Sequence, residues 1–189
     1  MDSYFDIKAL PCAEIIQSAV VAHLIQALHQ LLPQYGGEIG VDFPAYGQQQ
    51  TVGGIVRLLG RHEHIHPLHQ AVKTAATFND YALITERSNI PENISGYTEY
   101  KRKHVKGNSH LKRLRKRSEA NGTWTDALAI AAATKFSVSS NLPHVCLSSS
   151  STGQSKFLLF IQKKSRANSH NGKFNGYGLS IHGTTVPKF

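Results

Sequence analysis

The stretch SYFDIKALPCAEIIQSAVVAHLIQALHQLL (residues 3–32) joins a strand pattern to a helix pattern, and this pairing decides the fold of the first half of the chain. Residues 3–10 alternate in the way that is typical of a short strand. Residues 11–32 instead repeat apolar side chains every three or four positions, which predicts an amphipathic helix. The repeating side chains are Ile16, Val20, Leu24, Ala27 and Leu31. Pro33 and the glycine pair beyond it end the helix.

Further strand and helix patterns follow this helix along the chain. EIGVDF (38–43) and GGIVRLL (53–59) predict two strands, residues 67–78 a second helix, and residues 81–86 a fourth strand. The resulting order, βαββαβ, is that of a ferredoxin-like fold, in which a four-stranded antiparallel sheet carries two helices on one face. The sequence therefore predicts an α+β protein.

A polar segment, SNIPENISG (88–96), separates this pattern from a stretch of different composition. We therefore predict two domains, a ferredoxin-like domain over residues 1–92 and a smaller, irregular α+β domain over residues 93–189. The elements predicted in the second domain are helices at 109–120 and 123–135 and strands at 145–147, 157–161 and 176–180.

Positive charge is concentrated in one short segment. Nine of the 21 Lys and Arg residues lie between positions 101 and 117, where there is no Asp or Glu, so this segment carries the whole net charge of +9. A solvated surface usually mixes both signs, whereas a local excess of one sign favours binding to a polyanion. Since the aromatic signature of a single-strand RNA-binding sheet is missing, a cationic helix in the groove of a folded duplex fits better.

The composition excludes several other classes of protein. With 40% apolar and 17% charged residues it is typical of a globular domain. No secretory layout opens the chain, and no run approaches the roughly 20 apolar residues of a membrane span, so we predict a cytoplasmic protein with no membrane contact. The two cysteines, Cys12 and Cys146, are far apart, which indicates reduced thiols without a chemical role.

Histidines and serines supply the remaining candidates for chemistry. In RHEHIHPLH (61–69) the alternation of His62, His64 and His66 predicts one face of a strand, where imidazoles could meet a zinc ion. No Asp or Cys completes that set, so plain surface histidines are the simpler interpretation. His29 lies beside the apolar stripe of the first helix, where a half-buried structural histidine is the simplest reading. The segments SSSSTGQ (148–154) and YGLS (177–180) are either tight turns or groups that hydrogen-bond a ribose or phosphate.

Six motifs occur in the order found in one family. They are MDSYFDIKAL at the start, LHQLL with His29, IGVDFP, the Arg-rich helix, STGQ followed by KFLLFI, and YGLS near an end that contains VP. On these motifs the chain resembles the CRISPR-associated repeat-processing endoribonucleases of type I-F systems. The resemblance covers nearly the whole chain.

This resemblance implies a specific reaction. Such an enzyme binds the stem-loop of CRISPR repeat RNA with its Arg-rich helix in the major groove and cleaves at the base of the stem. The 2′-hydroxyl attacks the scissile phosphate without a metal or other cofactor, giving a 2′,3′-cyclic phosphate and a 5′-hydroxyl. The enzyme then stays on the mature guide RNA and joins other subunits of the type I-F surveillance complex.

The resemblance also implies the site residues. The catalytic candidates are His29 as general base or acid, Ser149 or Ser150 to position the 2′-hydroxyl, and Tyr177 to orient the histidine. The RNA-binding candidates are Arg102, His104, Lys112, Arg113, Arg115, Lys116, Arg117, Ser151, Thr152 and Phe157. Among these, Phe157 would stack on the nucleotide at the stem base, and His104 replaces a glutamine that the family uses to read that region.

Two other functions remain open at this stage. The basic helix supports equally well a protein that binds an RNA hairpin without cleaving it. A metal-dependent nuclease built on the histidines of residues 62–69 is the third possibility.

Overall fold

Two antiparallel sheets form the framework of the protein. The computed structural model describes residues 1–11, 13–104, 108–149 and 154–189. The first sheet contains β1 (Ser3–Ala9), β2 (Gly40–Asp42), β3 (Ile55–Gly60), β4 (Ala82–Ile84) and β5 (Ser88–Asn89). The second contains β6 (Gly96–Lys103), β7 (His144–Ser149), β8 (Gln154–Arg166) and β9 (Val186–Lys188). The helices are α1 (Gln17–Leu31), α2 (His62–Thr74), α3 (Ala76–Tyr81), α4 (Asn108–Ala120) and α5 (Asp126–Ser140).

The first sheet has the order β2-β3-β1-β4, with the short β5 also paired to β1. Its elements follow one another as strand, helix, strand, strand, helices and strand, as the sequence predicts. The second sheet has the order β7-β8-β6-β9. The α+β prediction is confirmed, and the division of the chain at residue 92 stays a prediction.

Helix α1 owes its position to its apolar stripe. The residues buried along it recur at helical spacing: Val20, Val21, Leu24, Ile25 and Leu28. A single 3-10 turn over Leu32–Tyr35 follows, and Gly36 closes it in the left-handed region at φ 59°. Because the apolar stripe faces the core, His29 is left half-buried at the C-terminal end, on the flank of that stripe.

The two sheets share one buried core. The Tyr100 side chain of β6 is 2% exposed, packs edge-on against Phe43 with ring centroids 5.3 Å apart, and donates its hydroxyl to the Phe43 carbonyl. Tyr46 donates a 2.7 Å hydrogen bond to the carbonyl of Ile161 in β8. Each of these contacts joins a residue that precedes position 50 to one of the second sheet, so the halves are packed directly against each other.

Several predicted elements are wrong or displaced. Residues 61–69 do not form a strand, because Ile65, Leu68, His69 and Val72 are buried at helical rather than alternating spacing in α2. The predicted strand at 176–180 is instead a turn, in which the Asn175 side-chain oxygen accepts from the backbone N–H groups of Tyr177 and Leu179. Strands β6 and β9 were not predicted, and β8 is much longer than its predicted core.

None of the helices among the described residues is long and apolar enough to cross a membrane. Cys146 is exposed, and Cys12 lies outside the described residues.

Candidate active site

His29 is held by a carbonyl from the far end of the chain. Its Nδ1 lies 2.9 Å from the carbonyl oxygen of Gly176, 147 positions away in sequence. A carbonyl can only accept, so the proton of this bond must be on Nδ1. The second ring nitrogen, Nε2, is then the one available for proton exchange, as acceptor in the neutral ring and as donor in the protonated one.

Tyr177 covers one face of the same imidazole. The two rings are stacked, with centroids 3.9 Å apart and planes inclined by 9°. Burial raises the pKa of the Tyr177 hydroxyl, an effect that the nearby Arg102 cation partly opposes. The phenol therefore stays neutral at ordinary pH, and the stack with the Gly176 hydrogen bond fixes both the plane and the tautomer of the His29 ring.

The segment that carries Gly176 and Tyr177 is pinned against β2. The N–H of Val41 donates 3.0 Å to the carbonyl of Gly178, and Phe174 N–H donates to the carbonyl of Gly37. Gly178 has φ 72°, and a Cβ there would lie 2.3 Å from the Val41 side chain, so only glycine fits. These contacts hold the turn against β2, and the bond from Gly176 to His29 joins it to the C-terminal end of α1.

Arg102 and Phe157 lie together beside this centre. The Arg102 guanidinium is 5.7 Å from the centroid of the Phe157 ring, and both residues come from adjacent strands of the second sheet. Burial raises the pKa of Tyr177 and the Arg102 cation acts to lower it, so the Arg102 charge is felt at the stacked pair. His104, two residues on, is exposed just beyond the end of β6.

The serine segment approaches α1 through β7. The N–H of Ser148 donates a 3.2 Å hydrogen bond to the side-chain oxygen of Gln26, which precedes His29 by one turn. Ser149 is the last residue of β7. The remaining serine candidates, Ser150 and Ser151, lie outside the described residues together with Thr152.

Helix α4 presents a positive face to solvent. Lys112, Arg113, Lys116 and Arg117 are all exposed. At about 100° per residue they cover an arc of about 140°. Ser118, on the opposite side of the helix, is 8% exposed and so faces inward. The basic arc is therefore turned away from the protein.

Arg115 lies outside this arc. It forms a 2.7 Å ion pair with Glu119 and lies 6.0 Å from the Trp124 ring centroid. Its charge is thus partly neutralised by Glu119, which lies on the same helix just beyond the basic segment of residues 101–117.

The histidines of residues 62–69 do not form one cluster. His62 and His66 are exposed and stack on each other at 6.0 Å, one turn apart on α2. His69 is 1% exposed and bonds the Thr85 carbonyl through Nε2, and its burial lowers its pKa. In the described part of the chain, no three His, Cys, Asp or Glu residues come together as metal ligands.

Two residues of the site were missed in the sequence. Gln26 was detectable, because it shares a helix side with His29 at a spacing of three. Gly176 was not, because it acts through its backbone carbonyl, which every residue has.

Gly176 offers a direct test of how tightly the His29 ring must be held. A Cβ at this position would lie 3.0 Å from His29 Cε1 and 3.1 Å from Nδ1. We expect Gly176→Ala to push the ring aside by a few tenths of an ångström and to slow RNA cleavage about tenfold to a hundredfold. The measurement is the single-turnover rate constant at saturating protein.

Gly60→Ala is the matched control, because a Cβ at Gly60 is also crowded, at 3.3 Å from the Glu38 carbonyl oxygen, but its nearest atoms belong to Glu38 and Ile65 and not to His29. This variant should lose some stability and keep its cleavage rate. Equal rates for Gly176→Ala and wild type would show that the ring needs no such support.

Comparison with known proteins agrees with the resemblance seen in the motifs. Residues 4–189 match the profile of the CRISPR-associated protein (Cas_Csy4) family. A protein of Escherichia coli (strain UTI89 / UPEC) named CRISPR-associated endonuclease Cas6/Csy4 is 33% identical over 192 positions, with both chains fully covered. A protein of Pseudomonas aeruginosa (strain UCBPP-PA14) with the same name is 31% identical over 201 positions, again across both whole chains. The predicted relationship is confirmed, and the chain belongs to the Csy4 family of CRISPR-associated proteins.

Proposed function

We propose that this protein is an endoribonuclease that binds the stem-loop of CRISPR repeat RNA and cleaves it at the base of the stem. The observation that carries the proposal is the His29 ring, fixed by Gly176 and Tyr177 with Nε2 available. A proton-transfer group requires an available ring nitrogen, and the half-buried position of His29 leaves that nitrogen within reach of a bound RNA. The names of the two relatives support the same activity.

His29 is proposed to remove the proton from the attacking 2′-hydroxyl. In the neutral ring, Nε2 carries the lone pair because Nδ1–H is committed to Gly176, which supports a role as general base. The 2′-hydroxyl loses its proton to Nε2, its oxygen bonds to phosphorus, and the bond from phosphorus to the 5′-oxygen breaks. The 5′-oxygen takes a proton from water and the imidazolium returns its proton to the solvent, leaving a 2′,3′-cyclic phosphate, a 5′-hydroxyl and a neutral His29.

Positioning of the RNA falls to the residues around the imidazole. Ser149, at the end of β7, or its neighbour Ser150 holds the 2′-hydroxyl in line for attack. Phe157 stacks on the nucleotide at the stem base, and Arg102 binds beside it, as their mutual contact supports. Ser151 and Thr152 are proposed to contact the phosphate.

The basic helix holds the stem itself. Lys112, Arg113, Lys116 and Arg117 turn their charges outward and suit a groove with phosphates on both sides, with Arg115 at the flank. Cleavage at the stem base leaves these contacts to the stem intact, so the protein is proposed to remain on its product hairpin. Through that hairpin it would join the other subunits of the type I-F surveillance complex.

One assay tests the proposal against its alternatives. The protein is incubated in excess EDTA with a stem-loop RNA of the repeat from its own CRISPR array, and with the same RNA carrying a 2′-deoxy at the cleavage position. We expect the first RNA to be cut in EDTA and the second to bind but stay intact, since it lacks the nucleophile. Product termini are read by their phosphatase sensitivity and by mass.

The other outcomes assign the other functions. Binding of both RNAs without any cut favours a non-catalytic hairpin-binding protein. Cutting that stops in EDTA and returns with added metal would contradict metal-independent chemistry.

A further inference from the structure

A second feature adjoins the candidate active site, a groove along α1. It has a volume of about 650 Å³ and runs between α1, the turn at Gln48–Gln50 and strand β7. On α1 its wall is Ser18, Ala22 and Gln26, a single side of the helix. Gln26 and Ser148 form the end of the groove that lies one helical turn from His29. None of the roles assigned so far uses this groove beyond that end.

The chemistry of the groove suits nucleotides. Among the described residues that line it there is no carboxylate, and Lys156 adds a positive charge. The rings of His23 and His144 line it as well, each held edge-on or tilted by an aromatic neighbour. Amides suit base edges and planar rings suit base stacking, while the missing carboxylates leave phosphates unopposed.

The wall opposite α1 is strained. Gln49 and Gln50 have φ 49° and 58°, a conformation that residues other than glycine rarely adopt. The turn is locked by hydrogen bonds from Thr51 to the Gln48 carbonyl and from Gly47 to the Thr51 carbonyl. Both glutamines line the groove, and neither side-chain amide has a hydrogen-bond partner among the described residues. Strain of this kind is typical of ligand-binding segments.

The path of the RNA decides which nucleotides reach the groove. The stem base is proposed to lie at Phe157 and Arg102, and the scissile phosphate at His29. We place the cut, within the proposed function, on the single strand that leaves the 3′ side of the stem, and that strand must then pass His29. The groove begins one helical turn from His29, at Gln26, and leads along α1 toward Ser18.

We infer that this groove binds the single-stranded nucleotides on the 3′ side of the cut, with Gln50 and His23 among the contacts. The inference rests on the proposed function, because it takes the position of the scissile phosphate from it. Binding there aligns the departing strand before the reaction and is lost with the product, while the hairpin stays on α4.

The test compares RNAs that differ only beyond the cut. Two stem-loops carry a 2′-deoxy at the cleavage position, so that neither is cut, and have one or six nucleotides on the 3′ side. We expect the longer flank to tighten binding to the wild type about tenfold, as one or two stacked bases provide. In Gln50→Glu, which keeps the size of the side chain but adds a charge that repels phosphate, the ratio should fall to about twofold or less. His23→Ala should lower it in the same way.

Gln70→Glu is the matched control, because Gln70 is exposed on α2 and does not line the groove. It adds the same charge and should keep the tenfold ratio. Cleavage of the unmodified RNA is measured in parallel on the wild type. If the wild type cuts the RNA but binds both flank lengths equally, the groove inference is wrong and the proposed function stands. The same conclusion follows if Gln50→Glu keeps the full tenfold ratio. A wild type that cuts no stem-loop overturns the function instead.

Discussion

Replacing His29 by alanine is expected to lower the single-turnover rate constant of RNA cleavage by about 10² to 10⁴, the range that a positioned proton-transfer group contributes. The imidazole is the group whose Nε2 is left open by the bond to Gly176. Binding of the repeat stem-loop should change by about twofold or less, because the basic face of α4 carries that interaction and is not altered. Gel-shift titration and quenched-flow cleavage of the same RNA measure the two quantities separately.

His66→Ala provides the matched control for this variant. His66 is also a helical histidine that stacks on another ring, but it lies exposed on α2. Its removal should leave both cleavage and binding unchanged. A loss of less than about fivefold in His29→Ala would mean that another group transfers the proton, and the proposed mechanism would then be wrong.

The elements with strong periodicity could be predicted from the sequence. The stripe from Val20 to Leu28 repeats over more than two turns, so α1 was predicted, as was the succession of elements that build the first sheet. Helix α2 was misplaced because alternating histidines resemble a strand and Pro67 resembles a helix start. The buried residues Ile65, Leu68, His69 and Val72 do recur at helical spacing. One of them is a histidine, however, and a histidine is not counted as apolar when the pattern is read from the sequence.

The predicted strand at residues 176–180 was wrong for a different reason. YGLS has the composition of a strand end, but the Asn175 side chain, which accepts from two backbone N–H groups, and the left-handed Gly178 make it a turn. The partner that fixes His29 could not be predicted either, because the bond spans 147 positions and uses a main-chain carbonyl. Motif order could nominate His29 and Tyr177, but the stacking that joins them depends on how the chain closes on β2.

For the basic segment, the sequence predicted the concentration of charge correctly but predicted only part of the structure. The segment's first three residues end strand β6, in which Tyr100 is buried just before the segment and Arg102 is exposed at the candidate active site. Only its later part is helix α4. The surplus of charge therefore serves two surfaces, one beside His29 and one on the outward face of α4. These surfaces should respond differently to mutation.

Removing three charges from the face of α4 tests that separation. In the triple variant Lys112→Gln, Lys116→Gln and Arg117→Gln, we expect the affinity for the repeat stem-loop to fall about 30-fold to 300-fold at physiological salt. The slope of log affinity against log salt should become shallower by about 2 to 3, since each lost phosphate contact releases about one counterion fewer. Titrations at several salt concentrations give both values.

The triple variant Lys8→Gln, Arg61→Gln and Lys188→Gln removes the same charge from exposed positions outside α4. If net charge alone attracted the RNA, both triples would weaken binding alike, because long-range attraction depends on the total field. If α4 makes direct phosphate contacts, only the first triple changes the salt slope. At saturating protein the first triple should still cleave at close to the wild-type rate, because the His29 ring and its supports remain in place, whereas a matching fall in the saturated rate would show that α4 also positions the scissile phosphate.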